Sequence, residues 1–113
     1  MHEIGFCETL LERIEQQRRT RSFRGIRRVR VEIGALSDIE PDALHVAFEL
    51  LGRGTFIEGA RLEIERPGGV GRCPSCGGES AIQSRRAPCP RCAAPRLDII
   101  AGNTSRFIDM EVF

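Results

Sequence analysis

The chain has 113 residues, of which 41% are hydrophobic and 29% charged. That composition excludes disorder and leaves room for one ordinary core with a small appendage, not two full-sized domains. Its 17 basic residues, every one an arginine, stand against 16 acidic ones for a formal charge of +1, which argues against a surface that binds polyanions all over. No stretch is apolar enough to span a membrane, and the start lacks a basic segment followed by an apolar run, so a cytoplasmic location is expected.

Ile4, Cys7, Leu11 and Ile14 recur at helical spacing, with Leu10 beside them and Glu8, Glu12, Arg13 and Glu15 opposite, predicting an amphipathic helix that begins almost at residue 1. The pattern fades in the polar, basic stretch from Gln16 to Ser22, where a loop is expected to run to about Gly25. Arg28 to Ile33 alternates strictly, placing Val29, Val31 and Ile33 on one face of a half-buried strand. Pro41 suits the first turn of a second helix, since its missing N–H would be unpaired there anyway. Leu44, Ala47, Phe48 and Leu51 form the expected core stripe, and Gly52 or Gly54 the stop. A short strand follows at Arg61 to Glu65, broken by Pro67-Gly68-Gly69. Leu97 to Ile100 and Phe107 to Val112 read as further strands around the turn-prone Gly102-Asn103. The composition shift at Pro67 to Gly71 marks the candidate domain boundary.

The region from Arg72 to Arg96 has no aromatic residue and few aliphatic ones, so burial alone is not expected to hold it. Cys73-Pro-Ser-Cys76 and Cys89-Pro-Arg-Cys92 supply the substitute. A two-residue spacer lets one tight turn aim two sulfurs at a single ion, and two such turns complete a tetrahedron, the geometry of structural zinc. Gly77 tolerates a positive φ that would direct backbone N–H groups toward the sulfurs. Two disulfides, idle thiols and a rubredoxin-type iron centre are the other readings of this quartet; a reducing compartment favours the metal. Four protein ligands leave no open position, which makes the ion structural and not catalytic. Cys7, on the apolar face of the first helix, reads as a small buried side chain, and His45, opposite Leu44, Phe48 and Leu51, as a solvent-facing residue.

Met1-His2-Glu3 offers different chemistry. A free α-amine, the main-chain nitrogen of residue 2 and its imidazole can close fused chelate rings around a divalent ion. If the Glu3 amide also deprotonates, four nitrogens make the square plane suited to Ni(II) or Cu(II). Glu3 then supplies outer-sphere charge or a weak axial oxygen. The bland reading is a solvated tail residue, but the helix that begins at once tethers these residues to the fold.

Taken together, Met1-His2-Glu3 opening a helix, Val31-Glu32-Ile33-Gly34, Phe48-Glu49, the two Cys-x-x-Cys pairs, Gly102 and Met110-Glu111-Val112 resemble the HypA/HybF family of hydrogenase-maturation nickel metallochaperones. The resemblance spans nearly the whole chain. It implies an α+β fold: a three-stranded antiparallel sheet with two helices, and a four-cysteine, zinc-ribbon-like lobe inserted before the last strand. The implied domains are a nickel-binding domain of residues 1–70 and 97–113 and a zinc lobe of residues 71–96. Nickel is implied as cargo on Met1, His2 and Glu3, with Glu40 as an auxiliary ligand, and Zn(II) as a structural ion on Cys73, Cys76, Cys89 and Cys92. The implied partners are the GTPase HypB and the large subunit or precursor of [NiFe]-hydrogenase, with urease maturation proteins served by some members and a homodimer allowed. No enzymatic activity and no membrane partner are implied. Some relatives carry histidines beside the zinc cysteines; this chain has Gly77-Gly78 and Ala93-Ala94 there.

The main alternative is a zinc-ribbon nucleic-acid-binding or regulatory protein, supported by the five arginines that Arg72 to Arg96 sets against the single Glu79. Against it, the lobe offers no aromatic side chain for base stacking. A zinc hydrolase or redox enzyme lacks its parts, since no second histidine or Cys–His pair is placed as nucleophile and base.

Overall fold

The structure is a computed structural model and describes residues 2–113. In chain order it holds α1 (His2–Thr20), β1 (Ile26–Ile33), α2 (Pro41–Gly52), β2 (Arg61–Glu65), β3 (Gly69–Arg72), β4 (Glu79–Ile82), β5 (Asp98–Ala101) and β6 (Ser105–Val112). The strands form two three-stranded sheets, ordered β2-β1-β6 and β4-β3-β5. The chain divides into two compact units, one made of the segments through Val31, Asp38–Ile64 and Phe107–Phe113, the other of Glu32–Ser37 and Glu65–Arg106.

In the first unit, α1 buries Cys7, Leu10 and Ile14, with Leu11 only half-buried. The helix runs on to Thr20, through the polar stretch expected to be loop. Glutamine and arginine are good helix formers, and Arg18 gains a tertiary contact, its guanidinium sitting 4.3 Å from the Phe56 ring centroid. Arg18 and Arg19 also place positive charge at the helix C-terminus, where the dipole favours it. α2 starts on Glu40, whose extended backbone (φ −90°, ψ 122°) and side chain, accepting the Ala43 N–H at 2.7 Å, cap the helix, with Pro41 at its first position. Leu44, Ala47 and Phe48 are buried as expected, but Leu51 is 36% exposed. Ile57 closes the core at that level instead: a Cβ on Gly52 would meet Ile57 Cγ1 at 3.2 Å. The helix stops at Gly52, and Gly54 takes the left-handed conformation (φ +74°). Val29 and Val31 are fully buried and Ile26 nearly so, each worth roughly 1.5–3 kcal/mol relative to exposure.

The expected helix pair and three-stranded sheet are present. Along the edge of β1 with β6 the partners run antiparallel: Arg24 and Gly25 donate to the Phe113 carbonyl, and Gly34 to that of Thr104. Arg30 crosses that edge to Asp109 with two 2.8 Å bonds. Along β2 the contacts advance in the same sense on both strands, from Arg28–Glu63 to Ala35–Pro67. That edge is therefore parallel, and α2 supplies the crossover connection that a parallel pair needs, so the sheet is mixed.

In the second unit, β3 pairs antiparallel with both β4 (Gly69 opposite Ile82, Arg72 opposite Glu79) and β5 (Arg72 opposite Asp98), with a bulge at Val70/Gly71. The glycine run expected only to break β2 is thus the central strand of a second sheet. Its glycines serve close packing: a Cβ on Gly71 would come within 2.9 Å of Leu97 Cβ, and one on Gly69 within 2.6 Å of Leu36 Cδ1. Leu36, Ile82 and Leu97 join Cys73 and Cys89 in a small apolar cluster, flanked by Ala87, Ala94 and Ile99. Among the described residues no helix is long and apolar enough to cross a membrane.

Candidate metal centre

Each Cys-x-x-Cys pair folds into the same knuckle. In the first, Cys73 N–H donates to Gly78 O at 2.9 Å and Gly77 N–H to Cys73 O at 2.8 Å; in the second, Cys89 N–H donates to Ala94 O and Ala93 N–H to Cys89 O, both at 2.9 Å. The turns leave N–H groups aimed at sulfur. Ser75 and Cys76 donate to Cys73 Sγ, and Arg91 to Cys89 Sγ, all at 3.4 Å. Gly77 takes the positive φ anticipated for it (+74°), and in the second knuckle Ala93 does the same at +63°.

These turns bring the four sulfurs together, all within 4.8 Å of one another. Cys73 Sγ is 3.6 Å from Cys92 Sγ, and Cys76 Sγ 3.8 Å from Cys89 Sγ. A tetrahedral zinc with Zn–S bonds of about 2.3 Å sets its sulfurs about 3.8 Å apart, so the spacing fits that ion. It does not fit disulfides: all four cysteines are unbridged, and bonded sulfurs sit about 2.0 Å apart. Cys73 and Cys89 are buried, and Cys76 and Cys92 face solvent.

The electrostatics suit a cation. N–H donation from Cys76, with a second from Ser75, holds the Cys73 thiol down at about 6. Cys89 is lowered in the same way by N–H groups of Cys92 and Arg91. Cys92 receives a favourable N–H from Ala94, yet the neighbouring Cys73 sulfur pushes it up to about 12. Negative sulfurs this close resist a further ionisation, and a divalent ion at their centre removes that penalty.

The arginines of this segment are largely engaged in the fold. Arg72 binds Glu79 at 2.7 Å, Arg85 donates to the Leu36 carbonyl at 2.9 Å, and Arg91 lies over Gly78, where a Cβ would meet its Cδ at 2.9 Å.

Of the residues nominated at the other end of the chain, Met1 lies outside the described residues. His2 is the first residue of α1 and is exposed. Glu3 and Glu40 come together: Glu3 Oε2 accepts the main-chain N–H of Glu40 at 3.0 Å, and this bond holds the Glu3 carboxyl below its ordinary range. Nothing in the sequence pattern pointed to that bond. His45 is exposed, and Cys7 is wholly buried, its thiol pushed up to about 11 by burial.

Residues 1–112 match the family model described as hydrogenase/urease nickel incorporation, metallochaperone, hypA. Among curated proteins the chain is 43% identical to a hydrogenase maturation factor HypA of Cereibacter sphaeroides and 38% identical to one of Alkalilimnicola ehrlichii, each over 99% of both chains. Two solved structures share the fold. One is the solution structure of the Ni metallochaperone HypA from Helicobacter pylori, with TM-score 0.65 and 21% identity over 97% of this chain and 96% of that one. The other is a solution structure of HypA protein, with TM-score 0.68 and 24% identity over 100% of this chain and 97% of that one. Whole-length coverage by the family model, joined to the sulfur quartet and to relatives above 30% identity, leads to one conclusion: this chain belongs to the HypA family of hydrogenase/urease nickel metallochaperones.

Proposed function

We propose that this protein carries Ni(II) on its N-terminus and passes it to [NiFe]-hydrogenase during maturation, in the cytoplasm, while Cys73, Cys76, Cys89 and Cys92 hold a structural Zn(II). The chain is a maturation factor and not an enzyme, as its family is. The nickel ligands are the Met1 α-amine, the main-chain nitrogens of His2 and Glu3 and the His2 imidazole, with Glu40 as auxiliary. The functional division is a nickel domain of residues 1–70 and 97–113 and a zinc lobe of residues 71–96. The partners are the GTPase HypB and the hydrogenase large subunit or its precursor.

The observation that carries this reading is the start of α1. The exposed His2 begins the helix beside Glu3, and Glu3 reaches the cap of α2 at Glu40. Two nominated residues 37 apart in sequence are thus in contact, one of them next to His2 in the chain. His2 and Glu40 are both exposed, so a cation bound there stays within reach of the protein that receives it.

Metal analysis of the untagged protein tests it. Nickel should bind the native chain and be lost in His2→Ala or on adding one residue ahead of Met1, with zinc content unchanged. Tight nickel binding in the extended chain overturns the assignment.

A further inference from the structure

The first turn of α1 is weakly held. Between His2 and Phe6 no side chain is buried, and the first fully buried residue is Cys7. Gly5 is a poor helix former, with nothing within 4 Å of where its Cβ would be. The leading N–H groups of a helix also have no acceptor within it. Left to itself this turn would fray.

A contact made by Glu3 opposes that. Glu3 Oε2 accepts the N–H of Glu40 at 3.0 Å, and its partner is fixed. Glu40 caps α2 through its own carboxylate on the Ala43 N–H at 2.7 Å. Pro41 restricts the backbone next to it, and Leu44, Ala47 and Phe48 bury the helix that follows. The bond therefore runs from a loose element to a rigid one.

On the basis of the terminal nickel site proposed above, we infer that the Glu3 side chain positions the site and does not ligate the ion, which is held by main-chain and imidazole nitrogens: its carboxylate fastens the first turn of α1, which carries the His2 and Glu3 nitrogens, to the start of α2. The benefit is preorganisation. A terminus already held in place has less backbone freedom to lose when the ion arrives.

The two roles separate on substitution. Glutamine keeps an oxygen that can accept the Glu40 N–H but lacks the anionic oxygen of a ligand; alanine keeps neither. Nickel titrations of the full-length, zinc-loaded, untagged protein should show Glu3→Gln within about threefold of the native affinity, the screened effect of one exposed charge. Glu3→Ala should fall about tenfold further, the scale of ordering one more backbone residue on binding. The nickel d–d absorption should keep its position in both variants, because the nitrogens are unchanged, and the Glu40 amide should lose hydrogen-exchange protection only in Glu3→Ala. Equal losses in the two variants, a shifted absorption band, or native affinity in Glu3→Ala each overturn the inference. His2→Ala, run beside them, tests the site itself: nickel binding retained there defeats the terminal-site reading, whatever the Glu3 variants do.

Discussion

Ala93 occupies in the second knuckle the left-handed position that Gly77 occupies in the first, at φ +63° against +74°. Each residue follows the second cysteine of its pair, and each N–H closes the turn on the carbonyl of the first cysteine. Only glycine takes this conformation without steric cost from a Cβ. The zinc-loaded Ala93→Gly variant should therefore be more stable by up to about 1 kcal/mol, and Gly77→Ala less stable by a similar amount. Thermal unfolding and zinc retention against a chelator both read the difference. Failure of Ala93→Gly to stabilise, or of Gly77→Ala to destabilise, would mean that the two turns do not share one strain.

How far the sequence revealed this fold depended on whether a signal was local. The cysteine spacing announced the sulfur cluster because two tight turns suffice to build it, and the 3.6-residue and two-residue periodicities announced α2 and β1. Ala93 was invisible, since alanine carries no left-handed preference and only the first knuckle spells its turn with glycine. β3 was hidden for the opposite reason: Gly69 and Gly71 read as breakers, yet they lie in a central strand because Leu36 and Leu97 press against them, and Leu36 is more than 30 residues away. The Glu3–Glu40 bond is likewise a product of tertiary folding. Helical periodicity also misplaced Leu51, because Ile57, from the loop after α2, fills the space that the stripe assigned to it.

Among the described residues, the apolar cluster of the second unit has Leu36, Ile82 and Leu97 as its large aliphatic buried members. Three such side chains supply several kcal/mol at most, which cannot offset the entropy of ordering the two knuckles. Chelating the metal, or replacing Cys73 with serine, should abolish hydrogen-exchange protection in β3 and β4 while α1 and α2 keep theirs. Protection in Gly69–Arg72 that survives metal removal would show that burial alone holds this sheet.

Burial raises the Cys7 thiol from an ordinary 9.0 to about 11. A value raised on folding means that the native state favours the neutral thiol. The contribution is fully present below pH 9, where the unfolded thiol is also neutral, and it is lost as pH rises toward 11. Between those limits the thermal midpoint of the native chain should fall more steeply than that of Cys7→Ala. At neutral pH a thiol reagent should leave Cys7 unmodified until the protein unfolds. Parallel pH profiles for the two proteins, or rapid labelling of the folded chain at Cys7, would contradict the assigned burial.

Arg30 and Asp109 tie β1 to β6 with two 2.8 Å bonds, and Asp109 is held below its ordinary 3.8, first by the hydrogen bonds from Arg30. A lowered carboxyl stabilises above its unfolded value, and that stabilisation disappears as pH falls through the native one. Asp109→Asn should therefore be less stable than the native chain at neutral pH, by an amount limited by exposure of the pair. The two should converge only once the pH has fallen below the lowered native value, where the carboxyl takes up its proton in both states. A constant gap between their denaturation midpoints from pH 7 to pH 2 would show that the asparagine acts through packing and not through charge.

Gly5 sits inside α1 where glycine costs a helix about 1 kcal/mol relative to alanine, and a Cβ there would touch nothing within 4 Å. Neither a positive φ nor a close approach requires it. Gly5→Ala should therefore raise the thermal midpoint by a few degrees, the shift expected of up to about 1 kcal/mol in a domain of this size. The comparison that matters is between metal-free and nickel-loaded protein. If the chelate stays within residues 1–3, residue 5 remains helical in both states and the gain should be equal. A smaller gain in the nickel-loaded protein would show that the ion unwinds the first turn as far as Gly5, and it would give that glycine a use that the metal-free fold does not.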